Sequence, residues 1–356
     1  MDYVVFGRSG MRVSEFALGA MTFGTSWGTQ GTEEREAAEV LDAFAEAGGN
    51  FVDTSDVYTE GESEEILGKL TAHDRDRWVI SSKYSGSQGL IGSRGGFRPH
   101  PNSGGNSRKN MVRAVEDSLR RLRTDRIDVY YLHFWDFMTR PDEVMRAFDD
   151  LVRAGKILYP AFSDTPAWVI ADANTRAELL GWSPAIAIQV EYSLLERTAE
   201  RELFPMAKEH DLAIVPWRVL AGGMLLGSEH TNPAPDTREP NKREERVISE
   251  AVAIAQELGV SAAQVSWAWL RSRNSWGPMV PLIGARTADQ LRMNLAGMTL
   301  QLENEHLARL TEASSIDQGF PMDMLLDPTN VPHLATGGFN DRIHNHRAVP
   351  HPDQKR

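Results

Sequence analysis

The sequence predicts an α/β fold, a (β/α)8 TIM barrel with an N-terminal β-hairpin and long rim loops. Short β-branched or apolar runs alternate with longer segments of helical periodicity, a pattern typical of βαβ units and a parallel sheet. Eight such runs can be counted, and each is followed by a helical segment. This count favours a closed barrel over an open doubly wound sheet, and 356 residues suffice for one large barrel.

The predicted strands are short and apolar. In chain order they cover residues 16–19, 50–53, 78–83, 127–133, 157–163, 185–190, 212–217 and 279–284. Helical periodicity predicts the segments between and after them, namely residues 33–47, 62–71, 107–122, 141–154, 166–179, 196–210, 243–273, 287–295 and 303–315. In a barrel of this kind the carboxyl ends of all eight strands meet at one rim.

Residues 3–6 and 12–14 flank the turn sequence GRSG and predict a small hairpin, which we expect to close the bottom of the barrel. Three long segments lack periodicity, namely a Gly/Ser-rich loop at 85–105, a Pro-rich loop at 228–242 and the tail 317–356. Loops of this length in a compact domain are usually functional lids or disordered. Without repeats or linkers, we expect one barrel domain over residues 1–356 with 317–356 as an irregular tail.

Composition argues against several classes of protein. A net charge of -12 and a pI of about 5.4 argue against a nucleic-acid partner, which usually requires a basic face. No apolar run reaches the ~18 residues that cross a membrane, and the N-terminus lacks the features of a signal peptide. The chain has no cysteine for a disulfide or a zinc-thiolate site. We therefore expect a cytoplasmic protein without nucleic-acid or membrane partners, and leave oligomer formation open.

Polar and aromatic side chains end most of the predicted strands. The last residues of these runs are Gly19, Asp53, Lys83, His133, Ser163, Gln189, Trp217 and Gly284. Loops are polar in general, which explains some of these residues without any function. It explains less well why a lysine, a histidine, an aspartate and a glutamine each directly follow an apolar run. Because active sites of barrels lie at the carboxyl ends of the strands, these residues predict a site there.

Asp53, Tyr58, Lys83 and His133 form a constellation suited to proton transfer. Free tyrosine has a pKa near ~10, and an adjacent ammonium favours the phenolate and lowers that pKa. A carboxylate would hold the lysine, and a histidine would orient a substrate oxygen. Such a group can protonate a carbonyl oxygen while hydride, which no side chain supplies, comes from a cofactor. Individually each residue is more often structural; together, on consecutive strands, they favour a catalytic site.

Six segments, taken together, resemble one family. They are FVDTSDVYTEGESEEILG, VISSKY, SLRRLRTDRIDVYYLHFWD, GKILYPAFSDTPAW, IQVEYSLLER and VPLIGARTADQLRMN. The set resembles the aldo-keto reductase superfamily over roughly residues 3–350, in the form of a bacterial NADP-dependent aldo/keto reductase. This resemblance implies a (β/α)8 barrel that binds NADP(H) without a Rossmann fingerprint, and no G-x-G-x-x-G follows a strand here.

The resemblance also implies roles for individual residues. Tyr58 would be the general acid or base, supported by Lys83, Asp53 and His133. Contacts with NADP(H) would come from the strand ends and the segments that follow them, namely Gly19, Met21, Thr22, Ser163, Asp164, Gln189, Trp217, Arg218, Leu220, Gly222, Gly284, Arg286, Gln290 and Asn294. Among these, Ser163, Asp164 and Gln189 would hold the nicotinamide carboxamide, and Trp217 would stack on its ring.

Arg286 is the residue on which a preference for NADP over NAD depends. The sequence GARTADQLRMN reads as a strand end that opens a helix, whose free N–H groups favour an anion. A guanidinium there suits a 2′-phosphate. A surface arginine without a ligand is an equally good interpretation of the sequence alone.

The chain departs from the family pattern at several positions. Arg218 and Val219 stand where many relatives have Ser-Pro, so a serine that would touch the cofactor is missing. Ser228 replaces a lysine that commonly contacts phosphate, and Lys242 or Arg243 are candidates to compensate. Ala161 and Phe162 replace smaller residues before Ser163 and would crowd the barrel interior. These departures concern the contacts with the cofactor and leave the four catalytic candidates intact.

Aromatic residues after the first and fourth predicted barrel strands are candidates for a substrate pocket. Trp27, Phe134 and Trp135 would line it beside Tyr58, with Phe137 nearby, although packing of the loops explains them equally well. We expect no metal site, because the histidines of HNH at 344–346 lack a third ligand.

Three functions compete at this point. The first is reversible reduction of an aldehyde or ketone by NADPH, with a small-molecule carbonyl compound as substrate. The second is an NADP(H)-binding regulatory or redox-sensing subunit with little turnover, as in the potassium-channel β subunits that resemble the family. The third, a metal-dependent barrel hydrolase, is disfavoured because no early His-x-His occurs on a strand.

Overall fold

A computed structural model describes residues 1–28, 31–87, 100–229 and 238–344 of the chain. The chain divides into two compact units. The first consists of Met1–Glu191, Met206–Trp217 and Gly277–Ala296, and the second of Tyr192–Pro205, Arg218–Trp276 and the chain from Gly297 onwards. Parts of the three long segments predicted from the sequence, at 88–99, 230–237 and 345–356, lie outside the described residues. That the chain functions as a single domain therefore stays a prediction.

The described strands all belong to the first unit. They are β1 Tyr3–Val5, β2 Arg12–Ser14, β3 Ala17–Gly19, β4 Phe51–Asp53, β5 Val79–Tyr84, β6 Ile127–Leu132, β7 Ile157–Ser163, β8 Ala187–Glu191, β9 Ala213–Trp217 and β10 Leu282–Gly284. The described α-helices of the chain are α1 Glu34–Glu46, α2 Glu62–Thr71, α3 Arg108–Leu122, α4 Pro141–Arg153, α5 Ala167–Leu180, α6 Leu203–Glu209, α7 Lys242–Leu258, α8 Ala262–Arg271, α9 Ala288–Ala296, α10 Asn304–Ala313, α11 Met322–Leu326 and α12 Val331–Ala335.

Eight parallel strands form the barrel, in the order β10-β3-β4-β5-β6-β7-β8-β9. The two ends of this sheet meet through Ile214 of β9, whose N–H donates to Pro278 O and whose carbonyl accepts from Val280 N, both at 2.8 Å. Strands β4, β5 and β6 are buried at every position, as expected for a parallel sheet covered by helices. The predicted (β/α)8 barrel is confirmed, and each of the eight predicted strands lies within a few residues of an observed one.

The N-terminal hairpin is also confirmed: β1 and β2 pair antiparallel, with Tyr3 opposite Ser14. Phe6, in the turn between them, is fully buried and packs edge-on against Phe51 at the start of β4, with ring centroids 5.3 Å apart. Gly7 follows with a φ of 56°, and a Cβ there would lie 2.2 Å from Ile186 O. The hairpin thus closes the end of the barrel at which the strands begin.

Helices of the first unit begin and end where the sequence supplies caps. Ser107 accepts from Asn110 N at the start of α3, and Pro141 occupies the first turn of α4. Gly181, with a φ of 66°, ends α5 in the left-handed conformation that glycine adopts without strain. These caps explain why the predicted helical bounds agree closely with the observed ones.

In the second unit, helical segments predicted from the periodicity differ from the observed helices. The stretch 243–273, predicted as one helical segment, contains two helices, because Gly259 ends α7 with a φ of 66° and Ser261 opens α8 with a capping box. The segment predicted at 196–210 contains a 3-10 turn, Thr198–Glu200, before α6. Short helices α11 and α12 lie in the segment that was predicted to be an irregular tail.

A buried ion pair organises the second unit. Arg197 is fully buried, and its guanidinium donates to both carboxylate oxygens of Glu200 at 3.0 Å. The same side chain donates to Thr311 O and Ser314 Oγ, which fixes the end of α10. No helix in the described part of the chain is both long and apolar enough to cross a membrane.

Candidate active site

Asp53 and Lys83 form a buried ion pair at the carboxyl ends of β4 and β5. Asp53 lies opposite Ser81 in the sheet register, so Lys83, two residues further along, points to the same face. Lys83 Nζ donates to Asp53 Oδ2 at 2.5 Å, and both side chains are fully buried. The other carboxylate oxygen, Oδ1, accepts from Ser81 Oγ at 2.7 Å and from Gln189 Nε2 at 2.9 Å. The carboxylate is therefore held from two sides of the barrel.

The ammonium of Lys83 uses all three of its protons. Besides Asp53 it donates to Thr54 O at 2.9 Å and to Tyr58 Oη at 3.0 Å. Burial by itself lowers the pKa of Lys83, but Asp53 and Tyr58 together outweigh it and raise that pKa above its usual value. Lys83 thus stays an ammonium ion beside the phenol.

Tyr58 opens the 3-10 turn Tyr58–Gly61 and is half-buried. Burial raises the pKa of Tyr58, and the charge of Lys83 opposes this by lowering it. The lysine has the expected effect on the pKa of Tyr58, but burial has the larger effect, and the net pKa lies above its usual value. Tyr58 is consequently a protonated phenol at neutral pH, ready to donate.

His133 directly follows β6 and completes the group. Its ring meets that of Tyr58 edge-on, with centroids 5.8 Å apart and planes at 82°. Its Nδ1 lies 3.3 Å from Ser55 Oγ. Burial, and then the charge of Lys83, lower the pKa of His133 to about 3, so the imidazole is uncharged at pH 7. The structure therefore brings the four catalytic candidates together.

A second cluster lies at the ends of β7, β8 and β9. Asp164 has a φ of 36°, its N–H donates to Gln189 O at 3.2 Å, and its Oδ1 accepts from Trp217 Nε1 at 3.3 Å. Burial raises the pKa of Asp164 to about 6. Ser163 and Gln189 are buried, and the Gln189 amide is already bonded to Asp53. Gln189 therefore joins this cluster to the catalytic group.

Backbone without side chains lines the rim beside Asp53. The register places Gly284 of β10 opposite Gly19 of β3, and Gly19 opposite Asp53. A Cβ at Gly284 would meet no atom within 4 Å, which shows open space above this strand end. Met21 is half exposed, and Thr22 O accepts from Thr32 N at 2.7 Å. The glycines at positions 19 and 284 therefore leave this part of the rim without side chains.

Arg286 lies two residues before α9, Gln290 lies in its first turn and Asn294 in its last turn. Arg286 N donates to Gln290 Oε1 at 3.0 Å, and Asn294 Nδ2 donates to Gly284 O at 3.4 Å. Within the described ranges, no carboxylate is paired with the Arg286 guanidinium. A cation beside the free N–H groups of a helix start is a donor set that fits a phosphate.

Arg218, Leu220 and Gly222 belong to the second unit, and Arg218 has a φ of 55°. Arg243, a candidate to replace a missing phosphate contact, instead donates to three backbone carbonyls of the second unit, Leu195 O, Ser314 O and Ser315 O. Ala161 and Phe162, the crowding residues, are buried in β7, where Phe162 packs against Phe148.

The predicted substrate residues separate into two groups. Trp27 meets Tyr58 edge-on at 6.4 Å between centroids, and Phe134 is 43% exposed beside His133 at 5.6 Å. Trp135 is buried, and its backbone N–H donates to Asp164 O at 3.3 Å. Phe137 is 76% exposed.

Of the HNH segment, residues 345 and 346 lie outside the described residues, and no described cluster of three His, Asp or Glu could hold a metal.

Two residues that were not among the predicted site residues, Ser81 and Glu62, hold the site in place. Ser81 lies two residues before Lys83 on the same face of β5, and this spacing could have indicated its contact with Asp53. Glu62 accepts from Thr25 N at 2.7 Å and Ser26 N at 3.0 Å, and so fixes the loop that carries Trp27. Nothing in the sequence indicates that contact.

The chain is similar to known proteins of one family. The model of the Aldo/keto reductase family matches residues 15–315. The chain is 35% identical to an aryl-alcohol dehydrogenase (NADP(+)) of Phanerodontia chrysosporium, over 93% of this chain and 91% of that protein. It is 33% identical to a norsolorinic acid reductase of Aspergillus flavus, over 91% and 84%. It is 36% identical to a putative aryl-alcohol dehydrogenase of Saccharomyces cerevisiae, over 91% and 89%. These relatives are fungal, which gives no support to the expected likeness to bacterial members.

Proposed function

Because the chain belongs to the aldo/keto reductase family, we propose that Tyr58 is the general acid that protonates a carbonyl oxygen during its reduction. The chain is an oxidoreductase that acts between carbonyl and hydroxyl groups with NADP(H) as cofactor. When bound, NADPH supplies the hydride, which no side chain can provide. The comparisons give no support to a regulatory subunit without turnover.

The contact between Lys83 Nζ and Tyr58 Oη, at 3.0 Å, is the observation that carries this proposal. In the reduction, the Tyr58 proton passes to the substrate oxygen, and the phenolate left behind lies beside a buried ammonium. Asp53 keeps that ammonium charged and in place. In the reverse direction the phenolate accepts the proton of an alcohol. His133, neutral and edge-on to Tyr58, orients the oxygen.

Two clusters support the assignment of the residues that hold NADP(H). The glycine backbone at Gly19 and Gly284, with Trp217 held by Asp164, offers flat surfaces to a nicotinamide ring. Arg286, at the helix start of α9, offers charge to a 2′-phosphate. Ser163, Gln189, Gln290 and Asn294 complete these clusters, and Met21, Thr22, Arg218, Leu220 and Gly222 are proposed as further contacts.

We infer that the substrate is an aromatic aldehyde or ketone. Trp27 and Phe134 present aromatic rings beside Tyr58 and His133, where the carbonyl is protonated. Aromatic rings pack well edge-on or offset against such surfaces. Two of the compared relatives carry aryl-alcohol dehydrogenase in their names, which supports the same class. The acidic net charge agrees with the absence of a nucleic-acid partner, and we propose that the enzyme is a cytoplasmic protein of one domain.

Substitution Tyr58→Phe tests the proposal, because it removes one hydroxyl and leaves the ring. Oxidation of NADPH with 4-nitrobenzaldehyde should fall by ~10²–10⁴ in kcat, while NADPH binding measured by fluorescence titration stays unchanged. Tyr159→Phe, on β7 but outside the cluster, is the matched control and should keep full turnover. Undiminished turnover of Tyr58→Phe would remove the tyrosine from its proposed role.

A further inference from the structure

We propose that Ser55 and Asp56 are positioning residues that select which nitrogen of His133 carries the proton. The inference rests on the proposed function, in which His133 orients the substrate oxygen, and goes beyond it by assigning roles to two residues behind the histidine. Both side chains are buried, so neither contacts the substrate directly.

Ser55 lies between the histidine and the carboxylate. Its Oγ is 3.3 Å from His133 Nδ1 and 3.2 Å from Asp56 Oδ1. It also accepts weakly from Val57 N at 3.5 Å. A hydroxyl has a single proton, so it can donate either to the carboxylate or to the imidazole, but not to both. The direction of this one hydrogen bond therefore couples Asp56 to His133.

The coupling fixes the tautomer of a neutral imidazole. When Asp56 is ionised, the Ser55 hydroxyl donates to it, and His133 Nδ1–H donates to Ser55 Oγ. Nε2 then holds a lone pair and can only accept. When Asp56 is protonated, its O–H donates to Ser55 Oγ, and the Ser55 hydroxyl donates to Nδ1. Nε2 then carries the proton and can donate to a carbonyl oxygen beside Tyr58.

Charged groups on three elements around Asp56 act on the pKa of its carboxyl group. Glu64 faces it from α2, Arg113 and Arg121 face it from α3, and Tyr130 faces it from β6. Burial, and then Glu64, raise the pKa of Asp56 to about 7, against the opposing effect of the two arginines. Lys83, which faces His133, lowers the pKa of the imidazole and keeps it neutral, so only the tautomer changes.

The tautomer of His133 should determine how well the site binds a carbonyl oxygen. Below about pH 7 a protonated Asp56 favours the tautomer in which Nε2 donates, which suits binding of a carbonyl oxygen. Above that pH the donor is lost, and reduction should weaken. Removal of the Ser55 hydroxyl breaks the coupling, and loss of one hydrogen bond of this kind should lower kcat/KM for reduction about fivefold at low pH.

Nitrogen NMR of ¹⁵N-histidine-labelled protein without cofactor tests the proposal directly, because the two ring nitrogens of a neutral imidazole have distinct shifts in each tautomer. The signals of His133 are assigned by their loss in His133→Gln, among 10 histidines. Wild type should change from Nε2–H to Nδ1–H as the pH rises through about 7. Asp56→Ala, which removes the titrating carboxylate, should show the same proportion of the two tautomers at every pH.

Ser55→Ala should abolish the pH-dependent change of tautomer, and Ser55→Thr, which restores a hydroxyl, should recover it. Ser266→Ala is the matched control, because it removes a buried hydroxyl that donates to Ala262 O at 2.9 Å instead of contacting His133 or Glu64. The same tautomer change in Ser55→Ala as in wild type would overturn the proposal. Since the NMR measurement needs no turnover, failure here is distinguishable from failure of Tyr58 as the general acid.

Discussion

Lys83 and Asp53 satisfy each other almost completely inside the barrel. Each of the three ammonium protons of Lys83 has an acceptor, and each oxygen of Asp53 has at least one donor. Both side chains are fully buried, so water cannot replace a lost partner. A buried pair of this kind contributes little net stability, but removal of one partner leaves an uncompensated charge. The ion pair is therefore better explained by catalysis than by stability.

Asp53→Asn should destabilise the protein by about 3–5 kcal/mol and reduce turnover. The reason is that Lys83 keeps its charge but loses the carboxylate that balances it. The double variant Asp53→Asn with Lys83→Met should recover much of the stability and none of the activity. Urea denaturation and NADPH oxidation measure the two effects. Equal destabilisation by the single and double variants would show that charge compensation is not the cause.

The stability of the protein should depend on Asp56 as the pH changes. The pKa of Asp56 is raised from 3.8 to about 7, so its contribution to stability is full below about pH 4 and is lost as the pH rises through about 7. The loss amounts to about 4 kcal/mol. Asp56→Asn should therefore gain stability relative to wild type as the pH rises from about 4 to about 7, as measured by urea denaturation. A difference that does not vary with pH would contradict this assignment.

Arg286→Ala should weaken NADPH binding about 10- to 100-fold and leave NADH binding nearly unchanged, because the guanidinium would face the 2′-phosphate that only NADPH carries. Arg292→Ala provides the control, since Arg292 lies on α9, six residues after Arg286, and pairs with Asp289. Fluorescence titration with both nucleotides measures the change. Equal weakening of both nucleotides would indicate a general effect on the start of the helix.

Glu62→Gln should raise KM for aromatic aldehydes several-fold with little change in kcat. The carboxylate accepts two backbone N–H groups, and hydrogen bonds to a charged acceptor are stronger than those to an amide. The variant should loosen the loop that places Trp27 beside Tyr58. Steady-state kinetics measure the effect, with Glu39→Gln as an exposed control. A fall in kcat at unchanged KM would place the effect on Tyr58 instead.

Much of the fold could be predicted from the sequence because its signals are local. Apolar runs followed by periodic segments fix strands and helices, and caps such as Ser107 and Gly181 fix their ends. The break between α7 and α8 was missed, although Gly259 and the capping box at Ser261 are visible in the sequence. The helical spacing of apolar residues continues across the break, and this spacing favoured the prediction of a single helical segment.

The catalytic candidates could be predicted because strand ends converge in a barrel, which makes residues from separate motifs neighbours. The contacts that tune them could not. Burial decides the pKa of Tyr58 against the pull of Lys83, and burial is a property of the packed structure. The link from Ser55 to His133 joins side chains from two strand ends, at a distance that no sequence pattern specifies.

The hydrogen bond from Gln189 to Asp53 has a consequence for how the protein acquires activity. The two residues are 136 positions apart, on strands β8 and β4 that are not neighbours in the barrel. Contacts of such large sequence separation form late in folding, because the intervening chain must first be ordered. Recovery of NADPH oxidation during refolding should therefore lag behind recovery of helical circular dichroism. A fragment that ends before β8 would contain all four catalytic candidates and still lack one donor to the Asp53 carboxylate.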